Sequence, residues 1–310
     1  MVVDPFLFAN WVSDDAIAAF SAESQSSPPP ATLDALRGHY DDFNQRRLNE
    51  ALPAFPVDTK EETLGGVVCH IVEPKNEATD DRTLICLHGG SFMWGSGAGA
   101  LLEAVPVSAV TGMKVIAVDY RLAPEHVFPA AVDDVLSVYG VVRESTAASR
   151  IGIYGCSAGA ALTAQSVARM IVDGVERPGA IAMLHAAGLE LAGDSAMTSS
   201  IFQVTPSEAE PPTFETLPYF ASTKANNPLA LPGNHPDVLR DFPPSLLISG
   251  TRDFAASSVS VMHRRLLAAG VDAQFILFDG MWHAHHMFTT LPESRETFSA
   301  IAKFFDRNFG

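Results

Sequence analysis

The sequence predicts an α/β fold, a mostly parallel, doubly wound sheet with a helical cap. Three observations predict it. From about residue 66 onward, apolar runs of strand length alternate with helical stretches, as right-handed crossovers require. Several runs are continuously apolar, which suits strands buried on both faces of a parallel sheet. Between the runs at 180–184 and 245–249 the rhythm breaks for about sixty residues, far more than an ordinary crossover.

Taken in order, residues 1 to about 50 read as mixed helix and loop, broken by Ser26-Ser27-Pro28-Pro29-Pro30. Strands are expected over 67–72, 83–87, 114–118, 150–154, 180–184, 245–249 and 274–278. Helices are expected over 101–110, 130–143, 160–172, 257–269 and 296–308. The long interval is rich in Pro, Ser, Glu and aromatics, among them Phe202, Phe214, Tyr219 and Phe220. Over the sheet's carboxyl edge, where open α/β sheets bind ligands, it would form a cap together with the N-terminal segment. The expected division is a cap segment over 1–50, a catalytic core over 51–187 and 239–310, and a cap insertion over 188–238.

Composition narrows the function. With 310 residues, 47% of them hydrophobic, the chain can bury one large core. Its 20 Lys+Arg against 36 Asp+Glu leave a net charge of -16, which repels nucleic acid and anionic lipid. No apolar run is long enough to span a bilayer. The opening Met1-Val2-Val3-Asp4-Pro5 lacks the basic region and apolar core of a secretory signal. Cys69, Cys86 and Cys156 lack metal-type spacing, and a cytoplasmic location is the simplest expectation.

The chemistry centres on Gly155-Cys156-Ser157-Ala158-Gly159. A short apolar run precedes this Gly-x-Ser-x-Gly stretch and a helical stretch follows it. A serine on such a sharp strand-to-helix turn is lifted clear of the backbone with its hydroxyl exposed. A hydroxyl is a poor nucleophile without a base. Where the order is Ser, acid, His, the base follows the last strand, and that loop reads Asp279-Gly280-Met281-Trp282-His283-Ala284-His285-His286. His283 is the candidate base and His285 its competitor. Asp253, at the end of the preceding strand, is the candidate acid; Asp279 competes, but suits a cap on the turn before Gly280. His88-Gly89-Gly90-Ser91-Phe92 follows the strand at 83–87. Its glycines let backbone N–H groups turn toward the site, so Gly89, Gly90 and Ala158 are the candidate oxyanion hole.

These motifs resemble the hormone-sensitive-lipase-like group, the bacterial family IV carboxylesterases of the α/β-hydrolase superfamily. His88-Gly89-Gly90-Ser91, Tyr120-Arg121-Leu122-Ala123-Pro124-Glu125, the Ser157 pentapeptide, and Asp253 with His283 carry the resemblance. It covers about 83–310 and also takes in the stretch at 128–134. It implies a cap, no cofactor, and hydrolysis of short to medium acyl esters as small-molecule substrates; relatives of this kind are often homodimers. Ser91 replaces the usual third glycine but still offers an N–H, and Cys156 replaces a common acidic residue. Amide, formamide or lactone hydrolysis by the same residues remains open, as does a non-catalytic ligand receptor on the same scaffold.

The remaining signals are weaker. His283, His285 and His286 have no carboxylate at ligand spacing among them, which argues against a metal. The 120–125 stretch is expected to support the oxyanion turn. Met93, Trp94, Met281 and Trp282 flank the site loops as core or pocket wall. His70 and His185 have no partner visible in the sequence.

Overall fold

The computed structural model describes residues 8–75, 81–202 and 213–309. Eight strands form one sheet: β1 (Val57–Leu64), β2 (Val67–Pro74), β3 (Thr83–Leu87), β4 (Lys114–Val118), β5 (Ile151–Cys156), β6 (Ala180–Leu184), β7 (Ser245–Arg252) and β8 (Ala273–Trp282). Their order is β1-β2-β4-β3-β5-β6-β7-β8. The first two strands pair antiparallel, as do β2 and β4, and every later pairing is parallel.

The two faces of the sheet explain the continuous apolar runs. Ile85, Leu87, Ile153 and Met183 point into one core, whereas Leu84, Cys86, Tyr154 and Ala182 point into the other. Every residue of β3, β5 and β6 is buried, so both faces demand apolar side chains. Strand β1 was not expected. It is an antiparallel edge on which Val57 alone is buried, so it carries no apolar signal.

The helices covering these faces are α3 (Ala98–Thr111), α4 (Ala130–Arg143), α5 (Ala158–Asp173), α8 (Ala256–Ala268) and α9 (Pro292–Asn308). Several begin earlier than expected. Helix α3 starts three residues before 101 and accommodates Pro106. Helix α9 starts on Pro292, whose missing N–H costs nothing in a first turn. Glycines in the left-handed conformation, Gly112 and Gly174, close α3 and α5.

Two further groups of elements lie outside this layering. At the N-terminus, α1 (Asp14–Ser24) and α2 (Leu33–Ala51) flank the Pro-rich break. Phe20 of α1 meets Trp282 edge-on, and Tyr40 of α2 stacks on Trp94 at 4.7 Å. Arg37 of α2 donates to the Met93 and Ala123 carbonyls and forks onto Glu125. Between β6 and β7 lie α6 (Asp194–Phe202), short turns at 218–220 and 232–234, and α7 (Pro236–Leu239). Buried Tyr219 stacks on Phe92 at 3.8 Å and donates to Gln165 Oε1. Both groups therefore pack on the loop after β3. The part of the interval at 203–212 lies outside the described residues.

Candidate active site

The turn after β5 is tight enough to leave no room for a side chain two residues before or two residues after Ser157. A Cβ on Gly159 would collide with the Leu87 carbonyl, and one on Gly155 with the Gly159 backbone. Ser157 itself has φ 54°, an uncommon conformation for a residue with a Cβ. Its N–H donates to the Leu184 carbonyl, at the end of the neighbouring strand β6, across 2.8 Å. The hydroxyl then faces a cavity of about 960 Å³, lined by Gly90, Ser91, Ala158 and His283 among others.

His283 lies just past β8. Its Nε2 stands 2.9 Å from Ser157 Oγ, and its Nδ1 stands 2.8 Å from Asp253 Oδ1. Phe254 stacks on the imidazole with centroids 4.2 Å apart. Asp253 is buried and accepts the Ala255 N–H on Oδ1 and the Ser249 hydroxyl on Oδ2. Burial alone would raise its carboxyl. His283 and His185, through charge and hydrogen bonds, outweigh burial and hold it well below the usual carboxylate range. The three residues named from their order in the sequence thus form one hydrogen-bonded chain.

His185 was missed as a partner. It follows β6 with φ 59°, and its Nδ1 lies 2.8 Å from Asp253 Oδ2. Burial lowers its pKa, so the neutral ring donates Nδ1–H to the carboxylate. His285 and His286 are buried behind it: His285 meets its ring edge-on and His286 stacks parallel to it. His285 Nε2 pairs with Thr297 and does not reach Ser157. Asp279, the other competitor, accepts from Trp11 and Thr251 at the end of the sheet. His70 also has a partner, Asp119, at 3.0 Å.

The loop after β3 differs from expectation at one atom. The Gly89 N–H donates to Glu103 Oε1 at 2.7 Å, so it is already engaged and not free for an oxyanion. The Gly90 and Ser91 N–H groups have no acceptor among the described residues. Ala158, as the first residue of α5, has no preceding turn to bond to. The available donors are therefore those of Gly90, Ser91 and Ala158. Gly90 has φ 116°, where a Cβ would collide with the Trp94 carbonyl. As expected, the 120–125 stretch supports this loop: the Tyr120 hydroxyl donates to the His88 carbonyl and the Ala123 N–H to that of Phe92. Met93, Trp94 and Trp282 line the cavity, whereas Met281 is core.

Two sets of three donors converge within 4.8 Å among the described residues. His185, Asp253 and His283 are the hydrogen-bonded chain itself. In the other set, Glu103, Cys156 and His286, burial raises the carboxyl and the thiol, which favours their protonated, poorly ligating forms.

Comparison with known proteins agrees with this architecture. A family model described as alpha/beta hydrolase fold matches residues 84–287. The chain belongs to the α/β-hydrolase fold family. It is similar to an acetyl-hydrolase of Streptomyces hygroscopicus, 29% identical over 245 residues, covering 78% of this chain and 80% of that protein. The crystal structure of an esterase from the bacterial hormone-sensitive lipase family superposes with a TM-score of 0.79 at 26% identity, covering 96% of this chain and 98% of the other. The esterase E25 structure does so with a TM-score of 0.83 at 25% identity, covering 100% and 99%. The likeness to hormone-sensitive-lipase-like esterases seen in the motifs extends over the α/β-hydrolase as a whole. No helix among the described residues is long and apolar enough to cross a membrane.

Proposed function

We propose that the protein is a serine carboxylesterase acting on short to medium acyl esters. The 2.9 Å contact between His283 Nε2 and Ser157 Oγ, with Asp253 on the far side of the ring, carries this reading. His283 takes the Ser157 proton as Oγ attacks the ester carbonyl. The carbonyl oxygen becomes an oxyanion and receives the N–H groups of Gly90, Ser91 and Ala158. Each such donor contributes about 3 kcal/mol to the transition state. His283 then protonates the departing alkoxide, and the alcohol leaves an acyl-Ser157 ester. Water, deprotonated by His283, attacks that ester, and the acid leaves with Ser157 restored. Asp253 holds the Nδ1–H tautomer and stabilises the imidazolium that forms twice per cycle.

The segments 1–50 and 188–238 act as the cap in this reading, supported by their packing on the loop after β3. The reading includes a cytoplasmic location, which three free, buried cysteines suit. Ser157→Ala tests the reaction. Turnover of a p-nitrophenyl short-chain ester should vanish while the circular dichroism spectrum is unchanged; retained turnover removes the mechanism.

A further inference from the structure

Glu103 is a buried carboxyl that the reaction above does not use. It projects from α3 beneath the cavity and is only 3% exposed. Its Oε1 accepts the Gly89 N–H at 2.7 Å, and the Cys156 amide is a second backbone group that favours its charged form. A carbon added to Gly89 would stand 3.4 Å from Glu103 Oε1 and 3.5 Å from Ser157 Cβ. The carboxyl thus lies where the loop after β3 meets the turn holding Ser157.

Three consecutive peptide units in that loop are fixed, each by a different group. The 88–89 unit is held at its carbonyl by the Tyr120 hydroxyl, at 2.7 Å, and at its N–H by Glu103. The 89–90 unit is held at its carbonyl by His88 Nδ1 at 2.7 Å. The 90–91 unit is held at its carbonyl by the Met93 and Trp94 N–H groups at 2.8 and 3.1 Å. The last two units carry the Gly90 and Ser91 N–H groups. Glu103 is the one side chain that engages the Gly89 N–H and sets where the series starts.

We propose that Glu103 is a positioning residue for ester hydrolysis, fixing the 88–89 peptide so that the Gly90 and Ser91 N–H groups aim at the oxyanion. The proposal rests on the reaction set out under the preceding heading. Burial also pushes the Glu103 carboxyl up to about 8, against the pull of the two amides. Its neighbours are neutral too: burial raises the Cys156 thiol and lowers the His286 imidazole. A neutral floor under the cradle does not oppose the negative charge that the cradle must stabilise.

Glu103→Gln, Glu103→Asp and Glu103→Met, each with its melting temperature, test this. Gln keeps an acceptor at the same reach and should stay within about threefold of the parent kcat. Met removes the acceptor and should lower kcat by about a hundredfold, the scale of one lost oxyanion donor, with KM within threefold. Asp withdraws the carboxyl by one methylene and should lower kcat in the same way, which keeps the test decisive if the Met variant does not fold. A folded Met or Asp variant at the parent kcat overturns the proposal, as does a Gln variant impaired as much as the Met variant. Ser157→Ala, run alongside, separates the two failures. If that variant is inactive and these outcomes occur, the Glu103 role alone falls; if it retains turnover, the underlying reaction falls.

Discussion

His185 and His283 occupy opposite oxygens of one carboxylate. His283 Nδ1 meets Asp253 Oδ1 and His185 Nδ1 meets Oδ2, each at 2.8 Å. With the Ala255 N–H and the Ser249 hydroxyl, these contacts fix the carboxylate plane in a fully buried site. A carboxylate held at both oxygens cannot rotate, so the direction it offers His283 is set by groups outside the reaction.

Replacing His185 with Leu therefore removes a donor to a buried charge, which typically costs about 1–3 kcal/mol. We expect a lower melting temperature and a kcat reduced by about tenfold. His185→Asn, which can still donate, should recover part of both. Thermal melts and kcat for the two variants check this, and equal losses would contradict it.

Ser91 offers its N–H to the site while sitting at φ 51°. Glycine adopts that conformation without strain, so Ser91→Gly should keep kcat within about threefold and fold at least as well. Ser91→Val places a β-branched side chain at positive φ and should lose both stability and activity. Steady-state kinetics and melting curves on the pair separate the backbone role from a role of the hydroxyl.

Stability should fall as the solution is acidified below about pH 6.5, the ordinary histidine range. Burial lowers His88 and His185, and lowers His285 and His286 well below their usual values. The unfolded chain then takes up protons that the folded chain refuses, at up to about 1.4 kcal/mol per pH unit for each group. Glu103, raised by burial, and His70, raised by Asp119, act with the opposite sign. The four lowered histidines outnumber them. Urea midpoints at pH 6.5 and 5 should show the drop; a rise would contradict the neutral assignment of the cluster.

Arg37 joins α2 to the loop after β3 through the Met93 and Ala123 carbonyls. Arg37→Met should loosen that loop and lower kcat severalfold, with a smaller change in overall stability because the side chain is partly exposed. Kinetics beside a thermal melt measure the two effects separately.

The features legible in the sequence are those with a local signature. Strands β3, β5 and β6 are buried throughout, and their apolar runs stand out. The order of Ser157, Asp253 and His283 at strand ends led to the hydrogen-bonded chain now seen. What escaped notice depends on distance along the chain or on a single atom's direction. His185 and Asp253 are 68 positions apart, and His185 reads as one more residue at a strand end. Glu103 is the one charged residue of α3, with nothing local to tie it to Gly89. The direction of the Gly89 N–H depends on a peptide rotation that residue types do not encode. Edge strand β1 shows no apolar face, because only its first residue is buried.

The most direct test of the account is covalent labelling with a fluorophosphonate, read by mass and peptide mapping. The account predicts one adduct per chain, on Ser157, formed rapidly in the parent protein and at a greatly reduced rate in His283→Ala. No adduct, an adduct on another residue, or an undiminished rate without His283 would contradict it.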